Sequence, residues 1–150
     1  MNPVWTIGYE RATLANVIEA LRDARVELLI DVRAIAASRR AGFSKTVLAA
    51  NLREVSVDYL HLRDLGTPKA GRDAARRGLC EEMRAIFRDH LDEPGAVAAF
   101  ERLARETSTR GAYLLCFEAD PTCCHREVLA DRLAERSPIT VIHLSPCRLA

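Results

Sequence analysis

Apolar positions along this chain fall into short β-rich runs, separated by stretches in which they recur at helical spacing. Val4 to Tyr9, broken by Gly8, predicts a first strand. Leu14, Val17, Ile18 and Leu21 then share one face of a helix that Thr13 is placed to cap. Leu28-Leu29-Ile30-Asp31-Val32-Arg33 predicts a second strand, nearly continuous in its apolar character. Such runs suit a parallel sheet covered on both faces. A loop, Ser38 to Phe43, leads to a helix capped by Ser44 and carrying Val47, Leu48 and Leu52. Val57 to Leu62 predicts the third strand. Gly66 to Gly71 is a loop by its glycine and proline content. One helix is expected from Arg72 or Gly78 to Leu91, on the spacing of Leu79, Met83, Ile86 and Phe87. Pro94 opens another, with Val97, Phe100, Leu103 and Ala104 inward. Ala112 to Phe117 predicts the fourth strand. Cys124 to Arg136 follows as a helix with Leu129 and Leu133 inward, and Thr140 to Leu144 predicts the last strand.

Strands alternating with helices predict a single α/β domain over residues 1–150. The expected architecture is a mainly parallel sheet of about five strands with helices on both faces, a Rossmann-like three-layer arrangement. The expected strand order is third, second, first, fourth, fifth. In such sheets ligands bind beyond the carboxyl ends of the strands. Tyr9, Arg33, His61 and the pair Cys116 and Glu118 stand at or just past four of those ends. Ionisable side chains from separate stretches are thereby expected to converge on one edge, where Asp31 shares a strand face with Arg33.

Composition narrows the class of protein. The chain has 150 residues, 49% hydrophobic and 29% charged, as in ordinary globular proteins. No run approaches the roughly 18 apolar residues of a membrane span. The N-terminus lacks a basic segment followed by an apolar one, so a cytoplasmic location without membrane attachment is expected. The net charge of +1 gives no global attraction for a polyanion. Five cysteines, an odd number with two adjacent, suit reduced thiols better than a disulfide framework. The oligomeric state is not legible.

Several stretches together resemble a family of bacterial and archaeal proteins defined by domain of unknown function 488. They are Thr6-Ile7-Gly8-Tyr9, Leu29-Ile30-Asp31-Val32-Arg33, Ser38-Arg39 with Gly42-Phe43-Ser44-Lys45, Tyr59-Leu60-His61-Leu62 with Leu65-Gly66, and Leu115-Cys116-Phe117-Glu118 with Cys124-His125-Arg126. The resemblance runs from Thr6 to Leu133. It implies one compact domain with a thiol-bearing site and brings no reaction with it. The family's usual proline between Val32 and Ser38 is replaced here by Ala34-Ile35-Ala36-Ala37.

The chemistry concentrates in the turn between the fourth strand and the helix after it. Cys116 reads either as a buried small hydrophobe or as a nucleophile at the strand's mouth. Cys123 and Cys124 fall near a helix start, where the dipole and a neighbouring arginine favour thiolate. His125 could move protons near neutral pH and Glu118 could orient a partner. Arg126 at a helix start is unfavourable unless an anion sits there. Arg33, Arg39, Lys45 and Arg126 are therefore candidates for holding an anion, with Tyr9, Asp31, His61 and Cys123 as further cleft residues. The expected function is an enzyme on a small anionic, phosphate- or nucleotide-like ligand, using a thiol for hydrolysis or group transfer. No G-x-G-x-x-G follows the first strand, which argues against a dinucleotide. A second reading is a nucleotide or nucleic-acid binding module using the Arg39–Arg53 and Lys69–Arg77 stretches, against which stands an aromatic content of 5%. A third is a metal-binding domain. The spacing argues against zinc and no cofactor is expected, since only Cys80 or Cys147 could complete a second ligand pair. The layout is also similar to a rhodanese, a strand ending Asp-Val-Arg and a later one ending in cysteine, without the glycine-rich loop.

Overall fold

Alternate side chains of the central strands enter two different apolar layers, one on each face of a single sheet. The computed structural model describes residues 3–118 and 120–144. Among them the strands are β1 (Val4–Gly8), β2 (Leu28–Asp31), β3 (Asp58–His61), β4 (Ala112–Cys116) and β5 (Val141–Leu144). The helices are α1 (Leu14–Asp23), α2 (Lys45–Glu54), α3 (Lys69–Arg76), α4 (Cys80–His90), α5 (Pro94–Thr109) and α6 (His125–Arg136). Leu29, Tyr113 and Leu115 face Val17 and Leu21 of α1 and Leu48 and Leu52 of α2. Leu28, Ile30, Ala112 and Leu114 face Met83 and Phe87 of α4, Leu103 of α5, and Leu129 and Leu133 of α6. This is the period of two that a strand imposes, and it yields the expected three layers. No helix among the described residues is long and apolar enough to cross a membrane.

All pairings are parallel, in the order β3-β2-β4-β1-β5. This corrects the expected order: β4 lies between β2 and β1 and not outside β1. Every residue of β4 is buried, whereas β1 carries the half-buried Trp5. The most continuously apolar strand takes the centre, where both faces and both edges are covered. The consequence is functional. The chain leaves β2 and β1 toward the α1–α2 face, and leaves β4 toward the α6 face. The connections at the carboxyl end of β4 therefore diverge from those on both sides, and a crevice opens there.

Local chemistry explains the element ends. Thr13 caps α1 through a reciprocal pair with Asn16. Ser44 does not cap α2 by its side chain, contrary to expectation. Its hydroxyl instead closes the preceding loop, bonding Ser38 N and O at 3.1 Å each. The single helix expected before Leu91 is two. Gly78 at φ +75° ends α3, with Leu79 N–H on Ala74 O (2.9 Å) and Gly78 N–H on Ala75 O (3.0 Å). Val97, expected on the apolar face of its helix, is about half exposed, as is Val47.

Candidate functional site

Parallel register aligns the carboxyl ends of the three inner strands. Gly8 pairs with Cys116 across β1 and β4, and Asp31 with Leu115 across β2 and β4. Past this edge lies a cleft of about 600 Å³, a size suited to a small molecule. Tyr9, Arg33, Cys116, Glu118, Cys123, Cys124 and His125 all line it. The expected convergence of Tyr9, Arg33, Cys116, Glu118 and His125 on one cleft is therefore what the geometry places.

His125 organises the floor. Its Nε2 lies 2.6 Å from the carbonyl oxygen of Val32, which can only accept, so Nε2 carries a proton. Nδ1 is left to face two thiols, Cys116 Sγ at 3.4 Å and Cys124 Sγ at 3.8 Å. The ring packs edge-on against Phe87 of α4, centroids 5.0 Å apart, which holds its rotation. Cys116 donates to Glu118 Oε2 at 3.1 Å. The two thiols differ in consequence. Burial pushes the Cys116 thiol well up, and the neighbouring charge on Cys124 and Glu118 pushes it further. Burial also opposes ionisation of Cys124, but the Cys116 thiol, His125 and Arg126 outweigh it and hold Cys124 well below the ordinary thiol range. Nδ1 is nearer Cys116, yet the two thiols shift in opposite directions: Cys116 has the Glu118 carboxylate beside it, and Cys124 has His125 and Arg126. Burial alone would lower the His125 pKa, but the Cys124 thiolate and the Val32 carbonyl raise it. Burial and the Cys124 charge raise that of Glu118.

Arg33 forms one wall. Its Nε and Nη2 bond Asp31 at 2.8 and 2.7 Å, and Nη1 donates to Tyr9 OH at 3.2 Å. Asp31 is fully buried and also accepts from Tyr59 OH at 2.5 Å. Burial disfavours the Arg33 charge, but Asp31 more than restores it. His61 does not line the cleft. Its Nε2 donates to Arg33 O at 2.8 Å and so fixes the backbone beneath that wall.

Three of the four expected anion holders are not brought together at the cleft. Arg39 and Lys45 are exposed and outside its lining. Arg126 is fully buried, its Nη1 donating to Glu118 O, and braces the turn from below. Two arginines of the Lys69–Arg77 stretch, read from sequence only for the nucleotide or nucleic-acid alternative, line the cleft in their stead, Arg72 and Arg76 on α3. Arg76 pairs with Asp73 at 2.8 Å. Arg72 donates to Thr67 O at 2.8 Å, and its buried Nε has no hydrogen-bond partner among the described residues. Their i, i+4 spacing on a helix following a β-strand's carboxyl end was the available signal.

Cys123 corrects the expectation of free thiols, because it is disulfide-bonded to Cys80 at the start of α4. Among the described residues Cys116 and Cys124 are the free cysteines, and Cys147 lies outside them. Helix α4 brings Cys80 to the turn, where Arg84 also holds Thr122 O (2.6 Å) and Glu127 (2.5 Å). Cys116, Cys124 and His125 are all metal-ligand types, with ligating atoms within 4.8 Å of one another.

No curated protein and no solved structure matches the chain. A family model described as domain of unknown function DUF488 matches residues 13–133, and the chain belongs to that family.

Proposed function

We propose that the chain is a cysteine-dependent enzyme acting by group transfer or hydrolysis on a small anionic ligand. The observation that carries this reading is the fixed orientation of His125, with Nε2–H tied to the Val32 carbonyl and Nδ1 aimed at the thiols. That is the arrangement an activated thiol needs, a base whose tautomer is set by a third group. Cys124 Sγ attacks the electrophilic centre of the ligand, forming an S–substrate bond as the leaving group departs with the proton of His125 Nδ1. Water or a second acceptor, deprotonated by Nδ1, then breaks that bond and restores the thiolate. Cys116 and Glu118 position this pair.

Arg72 supports the anionic ligand. It faces the cleft without a carboxylate partner among the described ion pairs, whereas Arg33 is matched by Asp31 and Arg76 by Asp73. Beside Glu10, the lining carries two acids, each engaged by a neighbour in the same turn. Asp120 accepts from Thr122 N and Oγ1, and Glu118 from Cys116.

Two alkylating agents of equal size test both halves. Iodoacetate carries a carboxylate and iodoacetamide does not. The Cys124 rate ratio, iodoacetate over iodoacetamide, is expected to exceed that of glutathione severalfold, and to fall toward it in Arg72→Gln. A ratio equal to that of glutathione in the unmodified protein would remove the anion site. Cys124 reacting no faster than glutathione with either reagent would remove the activated thiol.

A further inference from the structure

We infer that Cys116, Cys124 and His125 form a site for one divalent ion of the zinc class, and that its occupancy silences the thiol. The metal half rests on ligand geometry alone, and the silencing half rests on the thiol reading above. Zinc binds thiolate at about 2.3 Å and imidazole nitrogen at about 2.0–2.1 Å, so tetrahedral ligation places sulfur and nitrogen about 3.6 Å apart. His125 Nδ1 stands 3.4 Å from Cys116 Sγ and 3.8 Å from Cys124 Sγ, and all three atoms fall within 4.8 Å of one another. Both sulfur–nitrogen distances already match the spacing that the ion would impose, and the two sulfurs lie within reach of one ion.

The second requirement is orientation. A metal-bound imidazole ordinarily gives its other N–H to a carbonyl or carboxylate, which fixes the tautomer that leaves the ligating nitrogen bare. His125 Nε2 meets the Val32 carbonyl at 2.6 Å, and Phe87 holds the ring face. The ligands come from two elements: Cys116 ends β4, while Cys124 and His125 open α6. This is why the spacing along the chain argued against zinc. The pairing is made by the turn between them, and Arg84 and the Cys80–Cys123 disulfide clamp that turn.

The donor set selects the ion. Two sulfurs and one imidazole nitrogen favour zinc and its neighbours over magnesium or calcium, which take oxygen ligands. Three protein ligands beside a cleft leave a fourth position to water or a small ligand entering from it. Cys124 cannot attack while its sulfur holds the ion, so metal-bound and nucleophilic forms exclude each other.

Cobalt(II) is the probe, added anaerobically to the full chain with the disulfide intact. The expected result is one cobalt per chain, with thiolate-to-cobalt charge-transfer absorption and visible bands of tetrahedral intensity. Cys116→Ser should weaken the charge-transfer band, and Cys124→Ser and His125→Ala should abolish tight binding. Cys80→Ser/Cys123→Ser should keep it. A six-coordinate, oxygen-ligand spectrum in the unmodified protein overturns the site, whatever the folding of the variants. Stoichiometric zinc should slow Cys124 alkylation roughly tenfold or more, since a bound thiolate is no longer a free nucleophile, and a chelator should restore it. Cobalt ligation by thiolate with unchanged alkylation would overturn the silencing. Cobalt ligation with a metal-free Cys124 no faster than glutathione would sink the enzyme reading and leave the metal site standing.

Discussion

Asp31 does its work without touching the cleft. Both its oxygens are spent on Arg33 and Tyr59, and it is wholly removed from water. Asp31→Ala leaves a buried guanidinium without its counter-charge, and losses of about 3–5 kcal/mol are expected for such a break. Urea denaturation reads this directly, and a change under about 1 kcal/mol would show that Arg33 finds water or another partner. Arg72 is the opposite kind of residue, half-buried with one carbonyl contact. Arg72→Gln should move stability by no more than about 0.5–1.5 kcal/mol, the scale of one hydrogen bond, while the preference of Cys124 for iodoacetate disappears. From the sequence, Asp31 and Arg33 were readable as neighbours on one face, and Cys116, Glu118 and His125 as residents of one turn. That Arg126 serves the turn from beneath was not readable, because a helix-start arginine looks the same whether it faces a ligand or a backbone carbonyl.

At the scale of elements, the cleft depends on loops held by contacts that no periodicity records. Gly66 is one. A Cβ there would stand 2.1 Å from Ala34 N and 2.2 Å from Ala34 Cα, so backbone must move to accept it. Ala34 lies in the wall next to Arg33. Gly66→Ala should cost on the order of 1–3 kcal/mol, as overpacking does, and should slow Cys124 alkylation as well. Unchanged stability and unchanged alkylation together would show that this close approach does not shape the cleft. The disulfide is another such contact. It closes a loop of 43 residues between Cys80 and Cys123, worth about 4 kcal/mol at most by chain entropy. Mild reduction should lower the denaturation midpoint accordingly. A midpoint indifferent to reductant would mean that Arg84, with Thr122 and Glu127, suffices to hold the turn. The strands and most helices were legible from apolar spacing alone. The start of the helix before Leu91 is open between Arg72 and Gly78 in the sequence, because Leu79, Met83, Ile86 and Phe87 give helical spacing only past Gly78, and the separate helix α3 was not legible there.

At the scale of the molecule, the layers follow from the alternation of strands and helices, and the strand order does not. Nothing in local periodicity says whether β4 inserts beside β2 or passes outside β1. Only the complete burial of Ala112 through Cys116 favours the centre, and it decides where the crevice opens. With β4 central, Cys116 stands between Gly8 and Val32, and α6 delivers Cys124 and His125 to the same edge. The fold thus brings together two thiols, an imidazole and a wall carrying Arg33, Arg72 and Arg76. The most direct test is the pH dependence of alkylation at Cys124, followed by site-resolved mass spectrometry on metal-free protein. Cys124 lies well below the ordinary thiol range because of the Cys116 thiol, His125 and Arg126, so a thiolate is expected at neutral pH. Its rate should therefore hold level as pH falls from about 8.5, an ordinary thiol pKa, to neutrality, and drop only when pH passes through the depressed value. Cys116, held protonated by burial and its neighbours, should stay unreactive throughout. A Cys124 rate that falls about tenfold per pH unit below about 8.5, as a free thiol's does, would contradict the account.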